Sequence, residues 1–222
     1  MVRQLFQPSV SSNDESRLND LGLSSELLHT ALHPGLSRAS NRTAQALSST
    51  PGTDIYHDTM EQLSRRLAGA GWAPVLVGKQ ARFLHPEGLL SFTVASAINV
   101  ANPDRRKKPR ALKGHATRGA LAAPQVEVLA LFAVQGAEQA AERARIAKGA
   151  PLWFLLHERT DRGLKLEFSR PVGMTGTTGR GVVHDWGDRI FVPFLDLDGD
   201  LSAFDDPNDG EGDIDVPVEL LT

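Results

Sequence analysis

Apolar residues follow two spacings along this chain, and each predicts its own kind of element. At helical spacing, Tyr56, Met60, Leu63 and Leu67 share a face, which predicts an amphipathic helix over residues 54–70. Thr53 or Asp54 would cap it, and Gly69 or Gly71 would end it. A shorter helical pattern covers 24–33 behind a Ser24 cap, and the Ala, Glu and Arg content of 137–148 predicts a solvated helix closed by Gly149. Residues 117–123 are also helix-compatible.

Alternation of period two takes over elsewhere. Residues 72–77, 81–85 and 89–97 read as three strands of an antiparallel meander, punctuated by Gly78 with Lys79 and by the turn His85, Pro86, Glu87, Gly88. Residues 152–157 and 164–170 form a hairpin, in which Leu164, Leu166 and Phe168 face inward while Lys165 and Glu167 face out. A second pair, 182–186 and 189–195, is joined at Gly187. Residues 125–134 fit both rhythms: Val126, Val128, Ala130, Phe132 and Val134 alternate, whereas Pro124 suits a helical first position and tips the reading toward helix. The expected fold class is therefore α+β, an antiparallel sheet with packed helices. A helical N-terminal extension (1–52) precedes the core domain (53–195), and a flexible acidic tail (196–222) follows it.

Composition adds limits. A chain of 222 residues, 41% apolar, can bury one substantial core. No apolar run reaches membrane-spanning length and no signal-peptide core follows Met1, so a cytoplasmic protein is expected. The absence of cysteine excludes disulfides, thiolate metal sites and cysteine nucleophiles. No cofactor is expected.

Charge changes the picture most. The net charge of -3 hides an uneven division: residues 190–222 hold ten acids and no Lys or Arg, leaving 24 cations against 17 acids on residues 1–189, a balance of +7. Seven of those cations crowd into 104–118: Arg105, Arg106, Lys107, Lys108, Arg110, Lys113 and Arg118, with His115 among them. Such a block is the electrostatic footprint of a surface that meets phosphate. The leading reading is a non-catalytic nucleic-acid-associated binding or regulatory protein, for DNA or RNA, with Asn99, Asn102 and the backbone near Gly114 as further donors. In that reading the acidic tail can fold back on the loop as a phosphate mimic. Competing readings are a protein-docking subunit of a toxin–antitoxin or defence complex, and a metal-dependent hydrolase of nucleic acid or nucleotides.

Catalytic and metal-binding patterns are fragmentary. Asp196, Asp198 and Asp200 resemble the start of an EF-hand loop, but Leu201 and Pro207 stand where that loop needs Gly and Glu. Glu26, His29 and His33 share a predicted helix face, and His57 with Asp58 and His184 with Asp185 resemble the dyad of the HD phosphohydrolases. Four glycines between 173 and 181, interleaved with Thr175, Thr177 and Thr178, lack the Lys and Ser or Thr of a P-loop. Lys165 precedes Glu167, the reverse of a restriction-nuclease core, and no Gly-x-Ser-x-Gly elbow occurs. Val128, Leu129, Ala130, Leu131 and Phe132 resemble the bacterial sliding-clamp-binding pentapeptide, with Val128 in place of its Gln; the resemblance implies a clamp as a further partner.

Overall fold

The computed structural model describes residues 12–122, 137–176 and 180–197. Their element order is α1 (Ser12–Asp20), α2 (Ser25–Ser40), α3 (Thr50–Ala68), β1 (Ala73–Val77), β2 (Gln80–Leu84), β3 (Ser91–Ser96), β4 (Ala111–Lys113), α4 (His115–Ala122), α5 (Ala137–Gly149), β5 (Leu152–Arg159), β6 (Gly163–Met174) and β7 (Gly181–Asp196). The class is α+β, as expected. The clamp-like pentapeptide 128–132 and the acidic stretch from Asp198 onward lie outside the described residues.

All seven strands join one sheet in the order β1-β2-β3-β5-β6-β7-β4. It is mixed rather than antiparallel, because β5 lies parallel to β3, with Phe92 opposite Trp153 and Val94 opposite Leu155. A parallel partner cannot be reached by a tight turn, and here the described part of the crossover consists of the basic loop, β4, α4 and α5. The expected meander is present: β1 and β2 turn over Gly78 and Lys79, both at positive φ, and β2 pairs with β3 across the turn closed by the Gly88 N–H to the His85 carbonyl. The pair expected around Gly187 is instead one strand, β7. Gly187 makes no turn; it lets the Val172 and Arg170 side chains of bulged β6 approach the backbone closely.

One face of the sheet packs on α1, α2 and α3. Leu18, Leu28, Leu32, Leu36, Ile55, Leu63 and Leu67 meet Phe83, Phe92, Val94, Trp153, Leu155, Leu166, Phe168, Ile190 and Val192 in the main core. Its centre is aromatic, with Trp153 stacked on Phe168 and Phe92 edge-on to both Phe168 and Trp72. Ser24 caps α2 by accepting from the Leu27 N–H at 3.1 Å, as its position suggested. The helix then runs past His33 and through Pro34 to Ser40, because Gly35, Leu36 and Ala39 bury against the core. The third helix begins earlier than its pattern indicated, at Thr50 with Pro51 in the first turn. Asp54, expected as a cap, instead accepts two bonds from Arg42 at 2.7 and 2.8 Å, and that guanidinium holds its carboxyl below the usual range.

The crossing of α2 and α3 depends on Gly35. A β-carbon there would stand 2.8 Å from Ile55 Cα and 3.1 Å from the Asp54 carbonyl oxygen, both main-chain atoms with little room to move. Ala would improve helix propensity by about 1 kcal/mol, but overpacking against backbone costs typically 1–3 kcal/mol. The clash wins, so Gly35→Ala is expected to lower the urea midpoint; an unchanged or higher midpoint would show that the helices can separate freely.

Candidate nucleic-acid interface

The second face of the sheet is covered by α5 over β1 and β2, and over β5, β6 and β7 by the chain between β3 and β4, which makes one long traverse. Leaving β3, the Ala97 N–H donates to the His157 carbonyl of β5. The Val100 N–H then donates to Glu158 at the end of β5, and the Ala101 N–H to Glu167 of β6, each at 3.0 Å. Asn102 and Asp104 form successive side-chain turns, accepting from the N–H groups of Asp104 and Arg106 at 3.0 and 3.1 Å. The chain has now crossed β5 and β6 and reached β7.

From Arg105 it turns and runs back beside β7. The Arg105 guanidinium lies 4.4 Å from the Phe191 ring centroid, and the Arg105 carbonyl accepts from Arg189 at 2.9 Å. Lys108 pairs with Asp185, and the Pro109 carbonyl accepts the Trp186 indole N–H at 2.7 Å. Arg110 exchanges both backbone bonds with Ile98, and β4 continues the line, Ala111 opposite Val183 and Lys113 opposite Gly181. The basic block is thus laid out along β7, anchored every few residues.

Glu167 is the principal anchor. Its carboxylate is 0% exposed and accepts from the Ala101 N–H, the Ser169 hydroxyl at 2.6 Å, and Arg189 Nε and Nη2 at 2.6 and 2.9 Å. Alternation assigned this residue to solvent; it is buried because the loop roofs this face. The two non-glycine residues at positive φ in the loop, Asn99 at 61° and Ala101 at 45°, lie beside these carboxylate contacts. Ala has no side-chain compensation for a left-handed backbone, which costs about 1–2 kcal/mol. The bond to Glu167 holds it there.

The seven cations therefore have different surroundings. Arg106, Lys107 and Arg110 are exposed and form no side-chain ion pair among the described residues. Arg105 is exposed but also lies 3.7 Å from buried Asp14. Arg118 donates to the Gly176 carbonyl at the β6–β7 hairpin tip. Lys113 points inward, with Nζ 5.3 Å from the Phe154 ring centroid. Although its side chain is only half-buried by area, the amine is densely surrounded, and desolvation lowers its pKa to about 8. Burial, with the Lys113 charge as a lesser cause, lowers His157 to about 4.

Other candidates disperse. His29 bonds the Pro193 carbonyl at 2.9 Å while Glu26 is exposed, so that helix face does not converge on an ion. Asp58 pairs with Arg38 at 2.9 Å, His57 packs edge-on to Tyr56, and Asp196 pairs with Arg162. Among the described residues no group of three His, Asp or Glu could hold a metal, and no helix is long and apolar enough to cross a membrane. Buried Arg82 carries a cation to α5, donating to the Ala147 carbonyl and to the Ala116 carbonyl of α4 at 3.4 and 3.2 Å. Comparison with protein-family models, with curated proteins and with solved structures returned no match.

Two outcomes follow from this geometry. Glu167→Ala strands Arg189 and releases Ala101, so a loss of roughly 3–5 kcal/mol in urea unfolding is expected; a loss under about 1 kcal/mol would mean that the latch carries no load. For Lys113, the unfolded chain holds a proton between about pH 8 and 10.5 that the folded chain has released, so stability from this group rises with pH across that window. Lys113→Met should raise the urea midpoint at pH 7 and lose that advantage near pH 10; an equal gain at both pH values would rule out desolvation of the amine as its source.

Proposed function

We propose that this protein is a non-catalytic nucleic-acid-associated binding component whose phosphate contacts come from Arg106, Lys107 and Arg110, flanked by Arg105 and Lys108. One observation carries the reading: the main chain under these cations is fixed by Glu158, Glu167, Arg189 and Trp186, while the side chains themselves face water. A basic segment whose backbone is already ordered loses less conformational entropy on binding than a free one. The neighbouring acids do not cancel it. Exposed pairs such as Lys108 with Asp185 are worth only about 0–1 kcal/mol, so a phosphate can replace the carboxylate. In this reading the acids from Asp198 onward compete with phosphate, and a truncation after Leu197 binds more tightly.

A second reading is favoured by apolar surface beside the same cations. Ile98 and Leu112 are 56% and 60% exposed and flank Arg110. Apolar side chains next to cations fit a protein partner with an acidic rim. This is the docking-subunit reading, and it predicts a copurifying protein and no response to nucleic acid at physiological salt.

Binding of labelled DNA and RNA across a salt series separates the two. Replacement of Arg106, Lys107 and Arg110 by Ala should keep the fold and flatten the log–log salt slope on duplex DNA by about 2.7, or 0.9 for each lost contact. Absence of binding at low salt would transfer the surface to a protein partner.

A further inference from the structure

We infer that the polyanion is a double helix, gripped through its phosphates alone over about one turn, and that Arg180 extends the contact beyond the loop. The inference rests on the nucleic-acid reading above and specifies its ligand.

The surface has the length of a duplex turn. The exposed cations track β7 from Phe191, under Arg105, to the first residue of the strand, Gly181, next to exposed Arg180. Ten residues of strand cover ~33 Å, close to one turn of duplex at about 34–36 Å. A lone phosphate or a nucleotide would engage only a fraction of that line.

The sheet register lengthens it. Ala111 faces Val183 and Lys113 faces Gly181, so the same pairing carried one residue outward sets Arg110 beside His184 and Gly114 beside Arg180. Alternation follows: Ala111 and Val183 are buried, while Arg110, Leu112, Arg180 and His184 are exposed. These four share the outer face of the β4–β7 pair. In the sequence Arg180 stands apart from the basic block, 62 positions beyond Arg118. The fold returns it to the strand pair that carries Arg110.

The form of the polyanion follows from what the stripe lacks. Sequence-tolerant single-strand binding draws about 1–3 kcal/mol per base from stacking on aromatic side chains. The exposed large apolar side chains of the described residues are Leu47, Leu76, Leu89, Ile98, Leu112 and Val172, with no aromatic ring among them. The tryptophans Trp72, Trp153 and Trp186 are all buried. A few cations on a rigid line, with no exposed Phe, Tyr or Trp among the described residues and only the small imidazole of His184 beside them, gain most from the densest linear charge. A duplex offers one charge per ~1.7 Å, and neutralising each releases more counterion than on a single strand, ~0.9 against ~0.7.

The test is fluorescence anisotropy with the full chain and four DNA probes: a 24-base-pair duplex, each of its two separated strands, and a second duplex of unrelated sequence. The duplex should bind at least about tenfold more tightly than either strand at low salt, and the two duplexes should agree within about twofold. Arg180→Ala should leave the unfolding midpoint unchanged and flatten the duplex salt slope by about 0.9. A single strand that binds as tightly as the duplex, or an Arg180→Ala slope equal to that of the parent chain, would overturn the inference while leaving nucleic-acid binding intact. No binding by any of these probes would remove the inference, and with no binding of labelled RNA at low salt it would remove the nucleic-acid reading as well.

Discussion

Burial of the Glu167 carboxylate is the constraint on which the rest of the candidate surface depends. An ionised carboxylate out of water costs several kcal/mol unless its oxygens are fully used, and here a guanidinium, a hydroxyl and a backbone amide use them. The ion pair with Arg189 is thereby tied to the chain that roofs it. Loop and ion pair are mutually dependent: the loop excludes water from Glu167, and Glu167 with Arg189 holds the loop main chain at Ala101 and Arg105. A surface stripe of cations becomes ordered through an interaction wholly beneath it.

Much of the fold was legible because local rules governed it. The helix over Thr50–Ala68, the β1–β2–β3 meander and the β5–β6 hairpin follow from periodicity and from turns whose Gly residues the backbone requires. Pairings between distant segments were not legible. The parallel contact of β3 with β5 joins residues separated by the whole crossover, and no local pattern records it. Gly187 was misleading for a related reason, since its role is close approach of Val172 and Arg170 rather than a turn.

The cationic block was plain from composition, but its geometry was not. Seven cations in sequence resolve into three exposed side chains, two that also meet acids (Arg105 the buried Asp14, Lys108 the exposed Asp185), one on the Gly176 carbonyl and one turned toward Phe154. Of the residues that organise them, Glu167, Trp186 and Arg189 looked like ordinary members of strands, and Glu158 lay just past the expected strand 152–157. A usable signal existed in β6, where Glu167 and Ser169 lie two apart on the face opposite Leu166 and Phe168. Two adjacent polar positions that bond each other fit a covered face as well as a wet one, and alternation alone cannot separate these cases.

Native-state hydrogen exchange of the Val100 and Ala101 amides addresses the latch most directly. Both N–H groups belong to a loop, yet each donates to a carboxylate of the sheet. Protection comparable to neighbouring sheet amides, lost at Ala101 in Glu167→Gln while the amides of β5 stay protected, is the predicted result. Exchange of both amides at the rate of an open loop in the parent chain would contradict the account, leaving the cations on an unanchored segment.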